Sequence, residues 1–257
     1  MLAGVLGFWP SCGQAENDSD PAVLLRVAVD KFNPEKQSTR FVYLDLSRTQ
    51  QFDESGALSV DRLQTFEMTY INDVPYEHLV EENGWPLEGK RLEAEEQRHD
   101  AAMQERAELD GNARAKMQQQ WMMRSPAAEL SVLPTEYRNV VMSRTTQEGR
   151  NCLLIDSTAL PGGSHTHYRV WLDTVAQEIL RVDFIRLADE GKKLQRATGT
   201  MTWTYIEGVP LMVSSHVDEF VAADGKKPAR VVMDHRYSRF SKLSETSSAV
   251  AAGTKVE

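Results

Sequence analysis

The sequence predicts a mainly β (α+β) chain: one curved antiparallel sheet, an unclosed half-barrel of about ten strands with covering helices. Three observations lead there. Residues 197–206, ATGTMTWTYI, set Ala197, Gly199, Met201, Trp203 and Tyr205 against Thr198, Thr200, Thr202 and Thr204, which is one apolar and one polar face of a strand. Similar alternating segments recur through the second half, separated by turn residues at a spacing that suits antiparallel neighbours. One long stretch, residues 88–122, breaks the pattern with Glu, Arg, Gln, Ala and Met, residues of high helix propensity. A sheet so long and one-sided needs a helix or a bound ligand on its apolar face.

Composition narrows the function classes. The 257 residues carry 38 Asp+Glu against 29 Lys+Arg, a formal net charge of −9. There is no basic footprint for nucleic acid, and simple electrostatic attachment to anionic membranes is disfavoured. No apolar run reaches the length of a spanning helix. Cys12 and Cys152 make neither a disulfide framework nor a metal knuckle.

Along the chain, residues 1–15 read as a signal segment: Leu2 to Trp9 is apolar, and Gly13 and Ala15 stand where a cleavage site has small residues. A Lys/Arg n-region is missing. Trp9, Pro10 and Ser11 before Cys12 make a poor lipobox. The expected location is periplasmic or secreted, with outer-membrane association through Cys12 as the alternative. Residues 16–243 are read as one domain and 244–257 as a disordered tail. Asp20-Pro21 opens a helix that carries Val23, Leu24, Val27 and Phe32 and ends near Pro34. Strands follow over 40–52, with Val42, Leu44 and Leu46 on one face; over 63–71, with Phe66, Met68 and Tyr70; and over 76–82. Asn72-Asp73 and Asn83-Gly84 supply turns. The helical insertion divides at Gly111-Asn112, with Asn112 as N-cap, and its stripe of Leu92, Met103, Leu109, Met117 and Trp121 is thin. Strands are then expected near 136–147, 150–160, 165–173, 177–187, 195–206, 208–221 and 229–240, turning at Gly149, Gly162-Gly163, Gly191, Gly208 and Asp224-Gly225.

No reaction chemistry is marked. His165 and His167 share a strand face, but a metal needs a third ligand, and Arg169 on that face opposes one. His78, His99, His216 and His235 are scattered. Nucleophile-elbow, phosphate-loop, H-E-x-x-H and C-x-x-C patterns are missing. The reading is a non-enzyme with no cofactor and no metal.

Several segments in order resemble bacterial proteins of the outer-membrane lipoprotein-sorting (LolA/LolB-like) superfamily. They are FEMTYINDVPYEHLVEENGWPL (66–87), YRVWLDTVAQEILRVDF (168–184), GTMTWTYIEGVPLMVSSHV (199–217) and MDHRYSRF (233–240). The resemblance spans residues 40–242. Asp73-Val74 stands where the group has a turn glycine, and the charged insertion departs from the short carriers. The resemblance implies an unclosed antiparallel barrel with a helical lid, whose concave apolar face holds acyl chains. On that basis the ligand-facing residues are Phe66, Met68, Tyr70, Val170, Leu172, Val182, Phe184, Met201, Trp203 and Tyr205. The expected partner is a lipid or acyl chain. Two rivals remain: an envelope protein-interaction or sensor module with a filled core, using the 88–122 helix, and a hydrolase or metal enzyme on the same sheet.

Overall fold

The computed structural model describes residues 20–33, 40–124, 126–187, 194–221 and 229–243. The expected signal segment, Cys12, the tail after Leu243 and the turns at Gly191 and Asp224-Gly225 lie outside the described residues. Helix α1 (Pro21–Asp30) is followed by strands β1 (Phe41–Phe52), β2 (Leu58–Ile71), β3 (Val74–Glu82) and the two-residue β4 (Trp85–Pro86). Helices α2 (Lys90–Ala107), α3 (Gly111–Arg124), α4 (Pro126–Leu130) and α5 (Leu133–Glu136) come next. Strands β5 (Tyr137–Gln147), β6 (Arg150–Ala159), β7 (Thr166–Asp173), β8 (Glu178–Leu187), β9 (Leu194–Ile206), β10 (Val209–Val221) and β11 (Ala229–Lys242) complete the chain.

All the strands join one unclosed antiparallel sheet of eleven, in the order β4-β3-β2-β1-β11-β10-β9-β8-β7-β6-β5. Every neighbour is consecutive in sequence except β1 and β11, which pair from Phe41 with Lys242 to Phe52 with Arg230. The two sheet edges, β4 and β5, are therefore consecutive in the chain. Residues 87–136 must carry the chain from one edge to the other, and this explains why helices α2 to α5 lie in one insertion. Asn72 and Asp73 turn the β2–β3 hairpin with φ of 45° and 68°, the left-handed pair that a tight hairpin needs.

The core lies between the β5–β9 part of the sheet and helices α1, α4 and α5. Leu25, Ala28, Leu130, Leu133, Ile155, Val170, Leu172, Ile179 and Val182 are all at 0% exposure. On α1 the buried positions are Leu25 and Ala28, while Val23 and Val27 face solvent. The stripe expected on this helix is thus rotated, because small Ala28 beside Leu25 and Phe32 lets α1 settle against α5. On β9, Ala197, Met201 and Trp203 are buried, whereas Thr200 Oγ1 donates to Asp183 at 2.9 Å on the polar face. Gly199 lies under the ring of Phe184: a Cβ there would stand 2.5 Å from Phe184 Cε1 and 2.5 Å from the His216 carbonyl oxygen.

Two further differences from the sequence reading are local. The cap of α3 is Asp110, whose Oδ1 accepts the Ala113 N–H at 2.8 Å, so Asn112 is inside the helix. The eleventh strand is β4, too short to show a period.

Candidate ligand-binding face

Cross-strand pairing identifies which side chains share the concave face. From β6 to β9 these are Ile155, Val170, Val182 and Met201, which follow one another across the registers. Beyond β10 the same face continues through Ser215, His235 and Ser47, and through Tyr237, Asp45 and Phe66. The face thus has two parts of different chemistry.

The first part is filled. Val170, Leu172 and Val182 are fully buried, and Met201 and Trp203 are 3% exposed, in the cluster that α1 and α5 complete. Phe184 and Tyr205 are half-buried against it. Trp203 meets Phe32 edge-on, with ring centroids 5.5 Å apart.

The second part, on β11, β1 and β2, is aromatic and polar. Phe66 and Tyr70 are half-buried, and Met68 between them is buried. Tyr43 stands edge-on to Tyr237 at 5.7 Å and tilted against Phe240 at 5.6 Å. His235 stacks on Tyr237 at 5.9 Å, and its Nδ1 lies 3.0 Å from Asp45 Oδ2. Asp45 and Ser47 are buried. Val42, Leu44 and Leu46 share one face of the first strand, as expected, but it is not the concave one. Pairing gives the concave face to Tyr43, Asp45 and Ser47, and Leu46 is exposed. Both faces of this strand carry apolar bulk, so alternation alone could not choose. The signal available was MDHRY, which places His235 and Tyr237 on one face of a strand.

Electrostatics follow from that packing. The hydrogen bond to Asp45 raises the His235 pKa above its ordinary value, against the opposing effect of burial, with Asp45, Glu77 and Asp234 adding their charges. Burial, then Tyr237 and other neighbours, raises the Tyr43 pKa, and burial followed by Asp45 raises that of Tyr237. Both phenols stay un-ionised across the physiological range. A histidine whose folded pKa exceeds its unfolded value of 6.5 contributes stability that is full below that pH and lost as pH rises through the folded pKa. Asp45→Asn should therefore move the His235 titration downward in histidine NMR spectra and flatten the loss of stability as pH rises above about 6.5. An unmoved titration would mean that the pair is not formed.

Helices α2 and α3 border the second part. α2 runs along the β3 edge: Glu95 Oε1 accepts the Leu79 N–H at 3.1 Å, and Arg106 Nη1 donates to the Val74 and Pro75 carbonyls at 3.1 Å each. Arg98 Nη2 donates to the Glu77 carbonyl. α3 begins at the β2–β3 turn, where Gln118 Nε2 donates to the Asp73 carbonyl at 2.8 Å. It ends at α4, whose Glu129 accepts from Tyr168 at 2.7 Å and from Arg186 at 2.6 Å. This helix of about 21 Å lies beside the β2–β3 turn and leads on to α4, with Met117, Gln118 and Trp121 half-buried on one stripe.

His167 Nε2 lies 2.8 Å from Asp156 Oδ1 on the opposite face. Among the described residues no group of three or more His, Cys, Asp or Glu could hold a metal ion, and no helix is long and apolar enough to cross a membrane.

No protein-family model matches the chain, and no curated protein matches it. Solved structures do align with it. A putative outer membrane lipoprotein-sorting protein domain from Vibrio parahaemolyticus covers 88% of this chain and 99% of its own, at 10% identity and a TM-score of 0.37. A DUF1329 family protein from Desulfovibrio piger covers 90% and 98%, at 10% identity and 0.36. A LolA superfamily protein from Nitrosomonas europaea covers 88% and 94%, at 12% identity and 0.32. The first and third of these carry names from the group that the sequence segments resemble.

Proposed function

We propose that this chain is a non-enzymatic envelope protein that binds an acyl-chain ligand on the second part of the concave face, on β11, β1 and β2, with helix α3 as its cover. One observation carries this reading. The β5–β9 part of the face is filled by its own helices, whereas Phe66, Tyr70, Tyr43 and Tyr237 stay half-buried outside that cluster. Aromatic rings there offer apolar area, and Met117 on α3 adapts to irregular ligands. Of the ten residues expected to meet ligand, Phe66 and Tyr70 are the ones this reading keeps at the surface of the site. The envelope location rests on the N-terminal apolar segment.

A dansyl-labelled medium-chain fatty acid tests the site. Saturable binding with a blue-shifted emission is expected for the full chain. Phe66→Glu, which sets a charge on that surface opposite Asp45, should weaken binding about tenfold or more, equivalent to about 1.4 kcal/mol. Unchanged affinity in a variant with an unaltered circular-dichroism spectrum would remove Phe66 from the site.

The filled β5–β9 core favours a second reading, an envelope interaction module with no ligand. Failure of the wild-type chain to take up any acyl probe would select it.

A further inference from the structure

The two edges of the sheet are treated differently by the rest of the chain. At one edge β4 is two residues long and contains Pro86, and the β3 backbone behind it is engaged by Glu95, Arg98 and Arg106 of α2. This is how proteins close an edge against strand addition. At the other edge β5 is eleven residues long and, among the described residues, pairs with β6 alone. The Leu160 N–H donates to the Glu136 carbonyl at 2.9 Å, which sets the phase of the ladder. Alternate residues from Glu136 direct their amides to β6, so Asn139 and Val141 direct theirs outward. A bulge between Val141 and Ser143 ends the regular stretch, leaving residues 137–141, about 17 Å of edge.

Side chains add to the backbone signal. Val140, Val141 and Met142 are 41%, 38% and 61% exposed, and Leu160 is 44% exposed. Arg138, Val140 and Met142 line a shallow groove of about 410 Å³ with Thr158, Leu160 and Pro161. The charged residues of β5 are Arg138 and Arg144, without a carboxylate, in a chain of net charge −9. Asp156 across the groove is already bonded to His167.

We propose that β5 is a docking edge for an extended segment of a partner protein, about five residues long, that is apolar apart from one acidic side chain opposite Arg138 and adds to the sheet as a twelfth strand beside the eleven. Main-chain hydrogen bonds to Asn139 and Val141 supply the pairing, and Arg138 supplies the preference for an acidic side chain. A second copy of this chain fits less well. Two-fold antiparallel pairing about Asn139, the centre of residues 137–141, would set Arg138 opposite Val140 of the other copy and leave its charge without a carboxylate. An acyl chain has no groups to pair with the outward amides. This proposal does not rest on ligand binding at the concave face.

The test is fluorescence anisotropy with the full chain and a labelled Val/Thr peptide that carries a single Glu, against the same peptide with Lys in that place as the charge-reversed control. Saturable binding of the Glu peptide, at least tenfold tighter than the Lys peptide, is expected, and Arg138→Glu should reverse that order. Hydrogen exchange of the complex should slow at residues 137–147 and not at β3. No saturable binding, binding indifferent to peptide charge and to Arg138→Glu, or protection at other strands would overturn the proposal. So would a concentration-dependent dimer that protects β5 without peptide.

Discussion

Trp203→Ala should destabilise the chain by about 3–5 kcal/mol, the cost of an indole-sized cavity in a close-packed core. The ring is 3% exposed, meets Phe32 edge-on and pairs across strands with Met212. It therefore joins the segment that follows α1 to β9 and β10, and the remaining side chains have no free surface with which to fill its volume. Urea unfolding followed by circular dichroism measures the loss. A change below about 1 kcal/mol would show that the ring lies outside the core. The same result bears on the ligand question. Trp203 is among the residues expected to face ligand, and its burial means that its substitution should lower stability even in the absence of any lipid.

Glu95→Ala should cost about 2–4 kcal/mol, because it removes a buried charge that several donors share. Glu95 is 6% exposed; it accepts from Leu79 N–H at 3.1 Å and Arg98 Nε at 2.8 Å. Burial pushes its pKa up, but Arg98, the Leu79 N–H and His78 outweigh burial and hold it below the usual carboxylate range. A depressed carboxylate contributes stability that is present above its unfolded pKa and lost as pH falls through the folded one. Acid should therefore loosen α2 in the wild type, and the alanine variant should lose that part of the acid sensitivity. Limited proteolysis within residues 90–107 and faster exchange at Leu79 are the expected signs. Glu95→Gln keeps an acceptor for Leu79 and should cost less. Wild-type stability in Glu95→Ala would mean that α2 is held by other contacts.

Much of the architecture was legible because the period-2 signal is strong where one face is buried and the other solvated. In ATGTMTWTYI every expected inward residue faces the core side, and the Asn-Asp and Asn-Gly turns stand where chirality demands positive φ: 45° and 68° at Asn72 and Asp73, and 56° and 80° at Asn83 and Gly84. Legibility failed where local pattern and tertiary position part company. Helices α4 and α5 have five and four residues, too short for a 3.6-residue period to declare itself, yet Leu130 and Leu133 are fully buried. On α1 the presence of apolar residues around most of the helix hid the side that packs. On β1 the concave face carries Asp45 and Ser47, residues whose burial depends on His235 arriving from the far end of the chain.

The candidate site was legible only in part for the same reason. Periodicity assigned Phe66, Tyr70, Val170, Val182, Met201 and Trp203 to one face, and pairing agrees that they share it. Which part of that face its own helices cover is set by the chain crossing from β4 to β5, and no local pattern encodes it. Arg138 and the exposed Val140 and Val141 gave no signal, since an edge strand and a central strand read alike until the strand order is known.

Native mass spectrometry of the full chain purified from a bacterial periplasm, with organic extraction of whatever travels with it, tests acyl-chain binding most directly. Binding between α3 and the β11-β1-β2 surface predicts a stoichiometric lipid that is retained in Arg138→Glu and reduced in Phe66→Glu. A clean ligand-free mass, with no uptake of added fatty acid or phospholipid by the folded chain, would contradict it.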